Sequence, residues 1–126
     1  RGDDAAALLG TDQVLMAAQA LNSAGRGKEA LSLLNALPAR ERQAGRVVLL
    51  RLEALLIDDA PRERVPTALS EDDALYERVE LRRAMLYLLR GEKDQAREIA
   101  EELKWSKEKL PVSERGALEE LFLMGK

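Results

Sequence analysis

The chain contains no cysteine and no histidine, and only 3% of its residues are aromatic. The first two absences exclude a thiolate nucleophile, an imidazole base and the usual zinc ligand sets. Without cysteine, the redox compartment cannot be read, and periplasm and cytoplasm both stay open. No run of residues approaches the roughly 18 continuous apolar residues that a membrane-spanning helix needs. We therefore expect a non-catalytic protein with no metal, no cofactor and no membrane span in this segment.

What the chain does contain is typical of a folded helical protein. It is 46% apolar and 34% charged, which excludes a disordered chain. Leucine and alanine dominate the apolar residues and β-branched residues are scarce, which favours helices over a sheet. A net charge of −3 and the acidic segment 71–80 argue against a nucleic-acid surface.

Two segments of the sequence echo each other, residues 19–31 and residues 85–97. In both, an apolar helical run ends at a glycine, and an alanine follows five residues later. The glycines, Gly25 and Gly91, are 66 residues apart (91 − 25), which is twice a period of about 33 residues. That period predicts an array of helical hairpins, an architecture that generally holds other proteins.

Hydrophobic periodicity and helix breakers predict the boundaries of the hairpins. Residues 1–10 read as the tail of a preceding helix, and Ser70 with the acidic residues after it predicts a later helix start. The helix before Asp58 is nearly apolar all round in its second half, so we expect it to be buried on several sides. Its partner, residues 61–69, reads as short or irregular because Pro66 breaks a helix. The predicted elements are hairpins at about residues 12–37, 40–69 and 71–109 and a terminal helix at residues 114–124.

The spacing of small residues in these hairpins resembles the tetratricopeptide repeat (TPR). The pattern stands as Ala84, Tyr87, Gly91 and Ala96 in one hairpin, and as Ala18, Leu21, Gly25 and Ala30 in the other. It covers about residues 12–37 and 77–104. The usual early tryptophan is replaced by Val14 and Glu80, and the closing proline comes early at Pro38 and is missing after Leu103. The resemblance implies an α-solenoid, a right-handed superhelix of antiparallel helix hairpins with a degenerate middle repeat.

The resemblance also implies that the first helix of each hairpin lines a groove that binds a peptide segment or a helix of a partner protein. The implied groove residues are Leu15, Gln19, Asn22, Ser23, Arg78, Leu81, Met85 and Leu88. Leucines at 15 and 81 stand where one subclass of the family grips a carboxylate with lysines, so we do not expect a carboxylate clamp.

Three other features have two readings each. We expect Trp105 to pack against the last helix through Phe122, the alternative being an exposed anchor for a partner. The four arginines between residues 40 and 51 read as a solvated face, the alternative being a basic strip for an acidic partner. The apolar stripe of the terminal helix reads as the open end of the array, able to drive weak self-association. The arginines are Arg40, Arg42, Arg46 and Arg51, and the stripe is Leu118, Leu121 and Phe122.

The sequence thus predicts one TPR-like domain over residues 1–126, a fragment of a longer protein, that acts as a protein-binding scaffold without catalysis. By analogy of composition, we expect such a scaffold in a bacterial envelope or exopolysaccharide secretion assembly. The alternatives are a self-associating spacer, a nucleic-acid-binding helical repeat, and an enzyme that uses paired carboxylates on glycans. The last would need aromatic sugar platforms, which 3% aromatic residues barely supply.

Overall fold

The chain divides into two compact units, Arg1–Arg62 and Glu63–Lys126. The computed structural model describes residues 10–58 of the first unit and residues 63–124 of the second. Within these ranges there are seven α-helices, one 3-10 helix and no strand, which confirms the predicted all-α class. The helices are α1 (Thr11–Ser23), α2 (Gly27–Asn35), α3 (Ala39–Arg42), α4 (Gly45–Ile57), α5 (Tyr76–Leu89), α6 (Lys93–Leu103), the 3-10 helix (Lys104–Lys109) and α7 (Val112–Met124).

The hairpins α1–α2 and α5–α6 have the same turn. Gly25 and Gly91 both adopt positive φ, at 76° and 80°. At each turn the residue after the glycine donates its backbone N–H across the helix end, from Arg26 to the Leu21 carbonyl (2.8 Å) and from Glu92 to the Tyr87 carbonyl (2.9 Å). This is the Schellman arrangement, in which a glycine in the left-handed region closes the last helical turn. The two glycines predicted as turns therefore end their helices in the same way.

In the first unit, α4 packs against α1 and α2 and carries more of the buried side chains than any other helix described there. Its buried residues come from all around the helix, as its composition predicts. They are Val47, Val48, Leu49, Leu50, Leu52, Ala54 and Leu55. Gly27 lets the start of α2 approach closely, because a Cβ atom there would overlap the carbonyl oxygen of Ala54.

The second unit is built around one apolar cluster shared by α5, α6 and α7. Hydrophobic side chains from these helices and from Leu110 pack together, and the terminal helix contacts both members of the hairpin. The buried members are Leu81, Ala84, Ala100, Leu103, Leu110, Leu118 and Leu121.

The first helix of the predicted hairpin 40–69 is broken into α3 and α4. Ala44 is extended, with ψ at 140°, and Gly45 is the first residue of α4. Glycine is a poor residue for a helix interior, which favours a boundary here. The four arginines of the predicted basic strip therefore do not share one helix face, and that prediction is wrong. The Nε atom of Arg51 donates to the side-chain oxygen of Asn35 at 3.1 Å. Arg42 also donates to Asn35, to its carbonyl oxygen at 3.5 Å.

The predicted hairpin 40–69 has no second helix in the part of it that the structure describes. Residues 59–62 lie outside the described residues, and residues 63–69 are not helical. Two arginines, Arg83 of α5 and Arg90 directly after that helix, hold this segment by its backbone instead. Arg83 donates from Nε to the carbonyl of Pro66 at 2.8 Å, and Arg90 donates from Nη1 to the carbonyl of Glu63 at 2.7 Å.

The third hairpin begins later and ends earlier as α-helix than predicted. Residues 70–75 form turns, in which a carboxylate oxygen of Asp73 accepts the Leu75 backbone N–H at 2.9 Å. The α-helix therefore starts at Tyr76 and not at Ser70. At the other end, α6 stops at Leu103 and the chain continues as a 3-10 helix. Of the predicted helical tail at residues 1–10, all but Gly10 lies outside the described residues, and Gly10 precedes the first turn of α1.

Candidate functional site

An apolar groove runs between α5 and α7 in the second unit. It encloses about 420 Å³. One charged residue, Glu120, contributes to its lining, and the rest of the lining carries no charge. The lining residues are Met85, Leu88, Leu89, Gly116, Ala117, Glu120, Leu121 and Met124.

The spacing of these residues places them on facing stripes of the two helices. Met85, Leu88 and Leu89 are three and four residues apart on α5, which puts them on one helix face. Ala117, Leu121 and Met124 have the corresponding spacing on α7. The space beside Gly116 is open, because a Cβ atom built there meets no heavy atom within 4 Å.

The groove has a buried floor and an exposed rim. Leu121 belongs to the buried cluster, and Met85 and Leu88 are half-buried against it. Leu89 and Met124 are exposed at the rim. Apolar side chains exposed together along a groove are typical of a surface that binds another apolar element. Methionine adds adaptability, since its unbranched side chain fits partners of different shape.

The predicted groove residues of the first unit do not form one exposed surface. Leu15 is only 5% exposed and belongs to the core, so the prediction that it faces a partner is wrong. Gln19 and Ser23 are exposed. Asn22 is half-buried and bonds to α4, where its side-chain nitrogen donates to the Leu50 carbonyl at 3.2 Å.

The predicted residues of the second unit separate into two groups. Leu81 is 1% exposed in the shared cluster, so its prediction as a groove residue is wrong. Arg78 is held inside the unit, where its Nε atom donates to a carboxylate oxygen of Glu114 at 2.9 Å. Met85 and Leu88 do line the groove described above.

Glu114 of α7 joins two arginines of α5. Arg82 donates to both carboxylate oxygens, at 2.8 and 3.1 Å, beside the bond from Arg78. Burial alone raises the pKa of the Glu114 carboxyl, but the hydrogen bonds from Arg82 and Arg78 more than offset it, so that this pKa is lowered from 4.5. The Arg78–Glu114–Arg82 cluster therefore fixes the α7 backbone beside the groove with charge-assisted hydrogen bonds.

Two sequence expectations about apolar side chains are corrected here. Trp105 is 79% exposed, with the ammonium of Lys104 5.2 Å from its ring centroid, so it does not pack through Phe122. Its position explains this, since a residue two places after the buried Leu103 points away from the inward stripe of Ala96, Ala100 and Leu103. Leu118 and Leu121 are buried, because α7 folds back onto α5 and α6. They therefore do not form an open end of the hairpin array.

The groove residues that sequence reasoning missed include Leu89, Gly116 and Met124. Leu89 carried a usable signal, because it follows Met85 by one helical turn and precedes the turn glycine Gly91. The remaining two carried none, since their role depends on how α7 packs against α5.

None of the helices within residues 10–58 and 63–124 combines the length and the apolar character that crossing a bilayer requires. Comparisons with known proteins found no similar protein or structure. The chain matches no protein-family model, no curated protein and no solved structure, so its TPR resemblance stays a prediction from the motif residues.

Proposed function

We propose that this chain is a non-catalytic interaction scaffold of TPR-like hairpins that binds an amphipathic helix of a partner protein in the α5–α7 groove. The observation that supports this most directly is the apolar groove with its exposed rim at Leu89 and Met124. On composition alone, we place the scaffold in a bacterial envelope assembly such as exopolysaccharide secretion machinery.

The shape of the groove favours a helix as the occupant. Its walls are stripes of residues spaced three and four apart on α5 and α7, which form the ridges that another helix packs against. An extended peptide would leave its backbone N–H and C=O groups without partners over an apolar floor, whereas a helix satisfies them internally. Glu120 at the groove edge gives a basic residue of the partner a place to pair.

The test compares two substitutions of exposed leucines. Leu89, at the groove rim, is 61% exposed, and Leu123, on α7 outside the groove lining, is 69% exposed. Neither change buries a charge, unlike a glutamate at the core position Leu81. The chain serves as bait in lysate of its source organism, with the wild type, Leu89→Glu and Leu123→Glu in parallel.

We expect Leu89→Glu to lose a partner that Leu123→Glu retains, since a charge in an apolar binding groove costs at least about 1.4 kcal/mol, or tenfold in affinity. Cross-linking should place an amphipathic helix of that partner beside α5 and α7. If both variants retain the partner, the groove is not the binding site and that part of the proposal is wrong.

A second pair of variants blocks the groove sterically. Gly116→Leu fills the open space in front of α7, whereas Gly116→Ala adds only a methyl group and improves helix propensity by up to about 1 kcal/mol. Binding should survive the alanine and fall with the leucine. If both reduce binding equally, the effect comes from the α7 backbone and not from occupancy of the groove.

The second candidate is a self-associating spacer in which the groove receives α7 of another copy. The exposed apolar side chains on α7, Val112, Leu123 and Met124, favour it. Sedimentation at several protein concentrations distinguishes the two. Association of the wild type that Leu89→Glu abolishes would support the spacer, and a concentration-independent monomer would exclude it.

A further inference from the structure

A second concave surface of the Glu63–Lys126 unit is acidic. It encloses about 400 Å³ between the turns at residues 70–75, the start of α5, the end of α6 and the 3-10 helix. Five carboxylates and one ammonium group line it, which leaves a large excess of negative charge. The charged residues are Glu71, Asp72, Glu77, Glu80, Glu102 and Lys109.

The carboxylate of Glu77 is the feature of this cleft that requires an explanation. The residue is only 7% exposed, lines the cleft, and receives no hydrogen bond or ion pair from any residue in the described ranges. Glu80, on the same face one turn later, is equally buried but pairs with Arg83 at 2.7 Å. Most of the side chain is buried, but the carboxylate oxygens are not closed off from solvent, so they are open to a cation that enters the cleft from outside.

The surroundings of Glu77 suit an organic cation with an aliphatic stem. Ile99 and Leu103 provide an apolar wall, along which an alkyl chain can lie while its charged end reaches the carboxylates. Tyr76 adds an aromatic face, the kind of surface over which cations bind. The chain already contains such contacts, among them the guanidinium of Arg83 at 5.8 Å from the ring centroid of Tyr87.

The electrostatic character of the cleft is visible at Tyr76. Burial raises the pKa of the Tyr76 hydroxyl, and the carboxylates of Glu80, Glu71, Glu102 and Glu77 raise it further. The phenol stays neutral near physiological pH, and the field around it favours a positive charge. Among the described residues no three carboxylates converge as metal ligands do, and therefore a cation that brings its own hydrogen-bond donors fits better than a bare metal ion.

We infer that this cleft binds an arginine side chain of a partner polypeptide, with Glu77 as the counter-ion. A guanidinium offers five N–H donors in a planar fork, enough to bond Glu77 and a neighbouring carboxylate together. The chain uses the same chemistry internally, where Glu114 holds Arg78 and Arg82 and where Glu80 holds Arg83. The cleft is separate from the α5–α7 groove, so this inference does not depend on the helix-binding proposal.

The test titrates the whole chain, labelled with nitrogen-15, with a capped glycine–arginine–glycine peptide. The matched probe carries citrulline, the neutral isostere of arginine. We expect the backbone signals of residues 76–80 and 102–106 to shift with the arginine peptide, at an affinity on the order of 1 mM, and not with the citrulline peptide. Equal shifts with both peptides would overturn the inference, since charge would then play no part.

Variants assign the effect to Glu77. Glu77→Gln removes the charge with little change in volume and should weaken the arginine peptide by at least about tenfold. Glu98→Gln removes the same charge from the exposed face of α6, outside the cleft, and should change the affinity less than about twofold. Equal affinities for the wild type and Glu77→Gln would refute the assignment.

A further variant and a further ligand complete the design. Glu102→Gln alters an exposed residue of the cleft and should weaken the peptide by about two- to threefold, even if Glu77→Gln were to fold poorly. Spermidine replaces the peptide in a parallel titration. Binding of spermidine without binding of the peptide would identify a free polyamine as the ligand and overturn the assignment to a polypeptide side chain.

Discussion

At the scale of single residues, carboxylates of similar burial have opposite electrostatic surroundings. Glu114 receives hydrogen bonds from two arginines, Glu80 is paired with one, and Glu77 has none from the described residues. The Glu114 cluster lies between two helices and fastens α7 to α5. Glu77 lines the cleft, where its carboxylate is available to a ligand. Structural and ligand-binding roles are therefore separated by whether the chain itself supplies the cation.

The Glu114 cluster makes stability depend on pH in a predictable direction. Because the folded state lowers the pKa of Glu114 from 4.5, its contribution is present above that value and disappears as pH falls through the lower folded pKa. Glu114→Gln should cost about 1–2 kcal/mol of unfolding free energy near neutral pH, since hydrogen bonds to charged groups are lost. The deficit relative to wild type should shrink below about pH 4.

Urea unfolding of wild type and Glu114→Gln at several pH values measures this difference. Glu98→Gln, at an exposed site of α6, is the control and should follow the wild-type curve. A deficit that stays constant from neutral to acidic pH would mean that packing, not charge, accounts for the loss.

At the scale of elements, the two glycine turns separate backbone strain from steric contact. A Cβ atom at Gly25 or Gly91 meets nothing within 4 Å, so only the positive φ opposes a side chain there. Gly25→Ala and Gly91→Ala should each cost about 1–2 kcal/mol of unfolding free energy. The asparagine variants should cost less, because asparagine tolerates the left-handed region. Thermal or urea unfolding of the four variants measures the order, and equal losses for alanine and asparagine would contradict the strain argument.

The turns were also the elements that the sequence predicted best, and the reason is local. A glycine that must adopt positive φ is visible in the sequence, as is a helix that is apolar all round, such as α4. The start of α5 was predicted too early because Ser70 and Asp73 suit a helix cap and a turn equally, and here Asp73 bonds the Leu75 N–H within a turn.

The sites were harder to predict than the elements because each depends on helices distant in sequence. The burial of Leu81 follows from α7 folding back onto the α5–α6 hairpin. Of the groove, Met85 and Leu88 were predicted, whereas its second wall on α7 was not. The cleft at Glu77 needs residues from four separate segments.

At the scale of the whole molecule, both candidate surfaces belong to one compact unit. The groove and the acidic cleft draw all their lining residues from Glu63–Lys126, which has its own apolar cluster. A chain of about 60 residues can fold alone when it buries such a core, although its stability is marginal.

A fragment of residues 63–126 should therefore fold cooperatively and retain arginine-peptide binding at the cleft. Circular dichroism with urea unfolding tests the first point, and the peptide titration tests the second. The corresponding fragment of residues 1–62 should show no peptide binding. A helical but non-cooperative fragment 63–126 would mean that the two units fold only together.

The hold that Arg83 and Arg90 have on residues 63–66 has a consequence for how this chain tolerates mutation. Both guanidinium groups bond to main-chain carbonyls, which every amino acid possesses. Exposed positions such as Arg64 can therefore change identity without loosening the segment, whereas loss of Arg83 or Arg90 releases it. In a saturation library scored for folded protein, we expect residues 63–65 to tolerate most substitutions. Substitutions of Arg83 and Arg90, about twenty residues later in the chain, should be depleted from the folded fraction.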